Sequence, residues 1–439
     1  MKKRLYIRTW GCQMNFHKSE GIAGVFVRAG FDLTEVLAAA DVILFNTCAV
    51  RQKAEEKVYG LFGEIAQLKR EKEVLFGFGG CIAQVRGEGL LERFPVIDFL
   101  FGTDCLGGLP RIVSEVAKSG ERAMFLPTPT GSEELPYRRN DPLKAMVNIS
   151  EGCSNFCSYC VIPYSKGLLR SRPPGPVIEE VSALAAAGYK EVLLLGQNVD
   201  SYGKDHPEYG GFAALLDEVA QVGIPRVRFI SSHPRDMTSQ VIAVIAEHEN
   251  VCNHIHLACQ SGSNRILRDM NRGYTREQFL AIVDEARREI DGVNITTDLI
   301  VGYPDETEGD FLATLELIEE ARFGSIFVAM YSPRPRTRSA SRPDDVPHEV
   351  KHARLQEVLT RQREIALEEN RRRIGAMVPV LVEGRTRSGS PYGRGTDHRT
   401  VILSRAVKLG QFVPVLIESA TAASLSGRPL VLAGAKEAT

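Results

Sequence analysis

Net charge is what this chain does without: 54 Lys and Arg stand against 55 Asp and Glu in 439 residues, a formal −1. A body coated in positive charge is excluded, so any nucleic-acid contact has to be local. Long apolar runs are missing too. None reaches ~18 residues, and no membrane-spanning helix is expected. The start MKKRLYIRTW is basic, but its apolar run ends after a few residues, too soon for a secretory signal. Nine cysteines, an odd number, argue against a disulfide framework and for a reducing cytoplasm. What is present is ordinary for a globular protein, 44% hydrophobic and 25% charged, in a chain long enough for two or three domains.

One absence is local. Cys153, Cys157 and Cys160 stand at C-x3-C-x2-C spacing in GCSNFCSYC, and residues 161–180 hold neither His nor Cys. A closed zinc site would need that fourth ligand nearby. Three thiolates on one loop with an open coordination position fit an iron–sulfur centre better, with a zinc loop or three unrelated cysteines as alternatives. The motif, with Tyr159 before its last cysteine, resembles the signature of the radical S-adenosylmethionine (SAM) enzymes. In that family the three cysteines hold a [4Fe–4S] cluster, and SAM occupies the fourth iron.

Residues 1–126 alternate short apolar runs with helical-period segments. Strands are expected at Arg4–Thr9, Val42–Asn46, Val74–Phe78 and Ile97–Phe101, and helices near Ser19–Ala29, Lys53–Arg70, Gly87–Phe94 and Leu106–Lys118. This alternation predicts a doubly wound parallel α/β domain. Cys12, Cys48 and Cys81 each follow a strand, and loops at the carboxyl ends of adjacent parallel strands converge on one crevice. A second three-thiolate site is therefore expected, against three separate buried cysteines. TWGCQMNFHKSE, NTCAVRQKAEEKVYG and GFGGCIAQ resemble the N-terminal domain of the methylthiotransferases, which implies an auxiliary [4Fe–4S] cluster on those three cysteines. Gly11 and Gly80, just before two of them, allow close backbone approach. Cys105 reads as an ordinary small residue. Residues 127–138, rich in Pro, Ser and Glu, read as an interdomain linker.

In residues 139–373, strands are expected at Lys144–Ile149, Glu191–Leu195, Arg226–Ile230, His254–Leu257, Asn294–Val301 and Ser325–Tyr331. Their spacing predicts β/α units closing part of a barrel, with reacting groups at the strands' carboxyl ends. There stand GQNVDSY, SSHP, QSGS, Thr297-Asp298 and GYP, and from them Gln197, Asn198, Ser231 and Asp298 are expected to contact SAM. GCSNFCSYCVIPYSKG, RSRP, LGQNVDSYG and TDLIVGYPDETEGDF resemble the MiaB-type methylthiotransferases, whose radical SAM domain is such a six-unit partial barrel. Leu168-Leu169, where the family has a basic and an acidic residue, Ala258-Cys259, and Asp305 and Arg336 at two glycine positions depart from its pattern. His233, His254 and His256 read as hydrogen-bonded structural histidines, and Cys252 and Cys259 as buried thiols.

Lys351–Arg373 reads as one charged helix. Residues 374–439 carry eight Lys and Arg against four Asp and Glu in short alternating runs, which predicts a small basic β-barrel. It resembles a TRAM domain. Arg385, Arg387, Arg394 and Arg399 are expected to track an RNA backbone, with Tyr392 placed to stack a base.

The order of the three parts resembles a methylthiotransferase throughout. Replacing hydrogen by sulfur at an unactivated C–H bond needs a radical, because no side chain is basic enough to take that proton. The resemblance implies that one cluster reduces SAM to a 5′-deoxyadenosyl radical and the other carries the sulfur, which a second SAM methylates. GCQMN, NTCAVR and GCIAQ resemble the subgroup acting at C2 of N6-(dimethylallyl)adenosine next to the anticodon. A threonylcarbamoyladenosine tRNA, a ribosomal-protein aspartate, or a non-catalytic zinc-containing RNA-binding role are the alternatives. Expected partners are a tRNA anticodon stem-loop, an electron donor such as flavodoxin or ferredoxin, and a sulfur donor; a monomer is expected.

Overall fold

The computed structural model describes residues 2–49, 58–131 and 134–430. The first sheet is built of β1 (Arg4–Thr9), β2 (Asp32–Leu33), β3 (Val42–Thr47), β4 (Leu75–Gly80), β5 (Phe99–Phe101) and β6 (Ala123–Phe125), in the order β2-β1-β3-β4-β5-β6. Every pairing in it is parallel. β3 shows why both faces are covered. Alternation sends Val42 and Leu44 to one side, against Ile22, Phe26 and Ile112, and Ile43 and Phe45 to the other, against Phe62, Ile65 and Ile82. The doubly wound α/β domain expected from the sequence is what forms, and its strand order reverses between β1 and β3.

Three local expectations shift. Helix α1 spans Gln13–Arg28, starting directly after Cys12 instead of at Ser19. A short helix, Cys81–Arg86, precedes the one at Gly89–Arg93. Of the helix expected over Lys53–Arg70, Phe62–Glu71 is helical, while residues 50–57 lie outside the described residues.

The linker is strapped down. Leu135 is buried and the Arg138 N–H donates to the Glu20 carbonyl at 3.0 Å. Its chain passes so close to α1 that a Cβ on Gly24 would overlap the Pro136 carbonyl. Tyr137 stacks on His17 at 4.2 Å.

The central domain has six parallel strands, β7 (Lys144–Asn148), β10 (Glu191–Leu195), β11 (Val227–Phe229), β12 (His254–His256), β13 (Asn294–Val301) and β14 (Ser325–Met330). They pair as β11-β10-β7 and β12-β13-β14, and the halves meet through bridges between Val227 and Val251 and between Ser232 and Leu257. This is the expected partial barrel. A two-stranded ribbon, β8 (Ser150–Glu151) with β9 (Arg170–Ser171), brackets the Cys153–Cys160 loop. Helices outside the sheet bury Val181, Leu216, Ile242, Val283 and Leu317 in one core, which the long helix His348–Arg371 completes with Val358 and Ile365.

The last five strands, β15 (Met377–Arg385), β16 (Pro391–Arg394), β17 (Thr400–Leu403), β18 (Phe412–Ala420) and β19 (Leu425–Pro429), form a closed barrel around Val380, Val382, Val415 and Ile417. It docks under the amino ends of the central strands. Arg226 donates to the carbonyls of Arg394 (2.8 Å) and Pro379 (3.0 Å), Lys144 pairs with Glu383 at 3.0 Å, and Asn294 donates to the Asp397 carbonyl at 2.8 Å. Among the described residues no helix is long and apolar enough to cross a membrane.

Candidate active site

Cys12 caps the N-terminus of α1, Cys48 follows β3, and Cys81 opens the helix after β4, so each stands at the carboxyl end of one of three adjacent parallel strands. A Cβ on Gly11 would overlap that of Cys48, a contact only glycine permits. Cys12 is exposed while Cys48 and Cys81 are buried, which leaves the group open on one side. The Cys12 thiol is held down to about 5, chiefly by its hydrogen bond with Cys48; the Lys166 charge and the first N–H groups of α1, those of Asn15 and Met14, reinforce this against burial. A thiolate is the ligand form. Soft donors of this kind suit an iron–sulfur cluster.

The wall between the two cysteine groups is one short helix, Ile162–Lys166. On one side it packs against Cys81–Arg86, and Val161 is buried in the first domain's core with Cys81 and Ile82. On the other it continues the loop of Cys153, Cys157 and Cys160. That loop is held by Arg272, which donates from Nη1 to Cys157 Sγ and to Tyr159 Oη, both at 3.4 Å, and from Nη2 to the Ala258 carbonyl at 2.6 Å. Burial pushes the Cys153 and Cys160 thiols up, so a positively charged centre is what would favour their thiolates. Among the described residues no three His, Cys, Asp or Glu side chains stand close enough to grip one metal ion.

The carboxyl ends of the central strands carry polar atoms in want of partners. Gln197 Oε1, Asn198 Oδ1, Ser150 Oγ and His233 Nε2 are buried and have no hydrogen-bond partner among the described residues. Asn198 is oriented by its Nδ2, which donates to Asp236 at 2.5 Å. Ser231 and Gln260 both adopt φ 69°, the strained left-handed region, at the ends of their strands. Asp298 is part-exposed, its carboxylate 3.2 Å from His256 Nε2. His254 and His256 share the Thr296 hydroxyl, each at 3.1 Å, on one face of β12 as alternation requires. Cys252 and Cys259 are buried thiols that burial pushes up to about 12.

Comparison with known proteins agrees with this layout. Residues 4–102 match the model of uncharacterized protein family UPF0004, residues 147–318 the radical SAM superfamily, and residues 371–430 the TRAM domain. The chain is 43% identical over 97% of its length to a Carboxydothermus hydrogenoformans protein, covering 99% of it, and 45% identical over 96% to one from Syntrophomonas wolfei, covering 96% of it. Both are named tRNA-2-methylthio-N(6)-dimethylallyladenosine synthase. The chain belongs to that family. Its fold also resembles the radical SAM methyltransferase TsrM from Kitasatospora setae, with a TM-score of 0.58 at 15% identity over 77% of each chain.

The TRAM barrel of this synthase-family chain divides the four arginines expected at RNA. Arg385, at the end of β15, and Arg387, on the turn into β16, are exposed. Arg394 pairs with Glu383, and Arg399 with Asp397 at 2.6 Å and Asn370 at 3.0 Å, inside the contact with the central barrel. Geometry therefore separates an outward pair from an inward pair. Arg272 and Lys166 escaped the sequence reading: Arg272 lies outside every quoted string, and Lys166, near the end of GCSNFCSYCVIPYSKG, stands six residues past its last cysteine.

Proposed function

We propose that this chain installs a methylthio group at C2 of N6-(dimethylallyl)adenosine beside a tRNA anticodon. One observation carries the reading: relatives of that name match nearly the whole chain. When bound, the clusters and SAM would supply the radical that opens the C–H bond and the sulfur that replaces its hydrogen.

The chain's own residues hold and aim. Cys153, Cys157 and Cys160 are the ligands for the first cluster, with the Arg272 guanidinium fixed beside Cys157. Cys12, Cys48 and Cys81 are those for the second. Gln197, Asn198, Ser231 and Asp298 offer polar groups to SAM. Arg385 and Arg387 give the tRNA backbone a local positive charge on a nearly neutral protein. A flavodoxin- or ferredoxin-type electron donor, a sulfur donor and a cytoplasmic setting complete the reading.

Nucleoside mass spectrometry tests it. Isopentenylated, unthiolated tRNA incubated anaerobically with reconstituted protein, SAM and a strong reductant is expected to yield the 2-methylthio nucleoside, and Cys157→Ala to abolish it. Release of 5′-deoxyadenosine without that product would move the substrate to threonylcarbamoyladenosine tRNA or a ribosomal protein.

A further inference from the structure

Strand β13 has two unlike faces. Ile295, Leu299 and Val301 pack under the helices, so alternation turns Thr296 and Asp298 to the concave side of the central strands. A string of hydrogen bonds runs there in one direction. A guanidinium can only donate. Arg228 Nη2 lies 3.1 Å from His254 Nδ1, so that nitrogen accepts and the ring carries its hydrogen on Nε2. Nε2 gives it to the Thr296 hydroxyl at 3.1 Å, and the hydroxyl gives its own hydrogen to His256 Nδ1, also at 3.1 Å. His256 then donates from Nε2 to the Asp298 carboxylate at 3.2 Å. Burial, with the Arg228 charge beside it, holds His254 well below the ordinary imidazole range, so its ring stays neutral in this role. Arg228 is itself fixed: it donates from Nη1 to His398 of the C-terminal barrel, and Glu191 stands 4.0 Å away.

The end of the string differs from its start. Arg228 and His254 are buried, whereas the Asp298 side chain is 40% exposed, and among the described residues His256 is the one hydrogen-bond partner of its carboxylate. We infer that His256 is a positioning residue for Asp298: it donates to one carboxylate oxygen and so aims the other at the occupant of the site. The inference rests on the reading that Asp298 offers its carboxylate to SAM. A carboxylate held by one N–H, whose ring is held in turn by Thr296, has its rotamer set before the ligand arrives. Pre-organisation of that kind lowers what binding costs.

The test uses the reconstituted full chain with a strong reductant. It reads 5′-deoxyadenosine release against SAM without tRNA, then 2-methylthio nucleoside formation against isopentenylated tRNA. Asp298→Asn is expected to raise the KM for SAM about tenfold. His256→Phe, which keeps a ring and loses the donor, is expected to raise the same KM to a similar degree with kcat little changed. His256→Gln, whose amide N–H takes the place of Nε2–H, is expected to stay close to the parent. Combined with Asp298→Asn, His256→Phe is expected to add nothing, because the two act through one contact. An unchanged KM in His256→Phe, an equal loss in His256→Gln, or full additivity in the double variant overturns the inference. If Asp298→Asn leaves the KM for SAM alone and raises that for tRNA, the SAM reading of Asp298 fails and the same comparison decides the inference on tRNA; if it moves neither, both fall. Should His256→Phe not fold, Thr296→Val is read in its place. It leaves His256 without the bond that holds its ring, and a KM equal to the parent's overturns the inference.

Discussion

Asp305 and Arg336 stand where the family pattern has glycine, and both adopt the conformation glycine would give, with φ 64° and 68°. Each carries the strain of a Cβ in the left-handed region, on the order of 1 kcal/mol. Their side chains differ in what they return. Asp305 pairs with Arg342, and Arg265 is tied to the Asp305 carbonyl at 2.6 Å. Arg336 points into solvent. Arg336→Gly is therefore expected to raise the thermal midpoint by ~1–2 °C, while Asp305→Gly, which loses its ion pair, gains nothing; thermal scans of both variants check the contrast. Asp200 is the residue whose charge costs the fold. Burial pushes its carboxyl up to about 7, although Ser232 Oγ (3.0 Å) and the His233 N–H (3.1 Å) both donate to it. Between the ordinary carboxylate range and pH 7 the folded chain keeps a proton that the unfolded chain has released. Stability from this group accordingly falls as pH rises through that window and is level above it. In Asp200→Asn the slope of unfolding midpoint against pH from 4 to 7 is expected to be less negative than in the parent.

At the scale of elements, one carboxylate joins two helix starts. Thr307 and Asp310 form a capping box for the helix Glu308–Ala321. Asp310 also accepts from Ser263 at 2.6 Å, the cap of the helix Asn264–Asp269, and from Arg265. Thr307→Ala is expected to cost ~1 kcal/mol and Asp310→Ala more, since it frees both caps, as denaturant midpoints will show. These caps were not read from the sequence, whereas the strands of the central domain were legible there, because a short apolar run is a local signal. Helix α1 was not legible in its first turns. Asn15, His17, Lys18 and Glu20 are buried there, and a rule that sends polar residues to solvent reads them as loop. For three of them the partners, Glu151 for Lys18, the Asn140 N–H for Glu20 and Arg139 for His17, lie more than a hundred residues away. The same distance effect hid Lys166 and divided the arginines of the TRAM barrel, because composition reports how basic a turn is and not what lies under it. The linker misled in the other direction: its Pro, Ser and Glu suggest a loose tether, whereas Leu135 and Tyr137 fasten it to α1.

At the scale of the whole molecule, the C-terminal barrel is part of the enzyme's frame. Arg226, Lys144 and Asn294 at the foot of the central strands all bond to it, Arg373 reaches Asp397 at 2.8 Å, and Arg226 lies over the Phe412 ring at 5.0 Å. A chain ended after Arg373 is expected to unfold several degrees below the parent in thermal scans, where an independently hung RNA-binding module would leave the midpoint unchanged. The covered foot has one more consequence. The six central strands do not close into a ring, since among the described residues β7 and β14 are not paired with each other, so with the C-terminal barrel bonded at their amino ends the ways left to their carboxyl ends are the rim and the open flank.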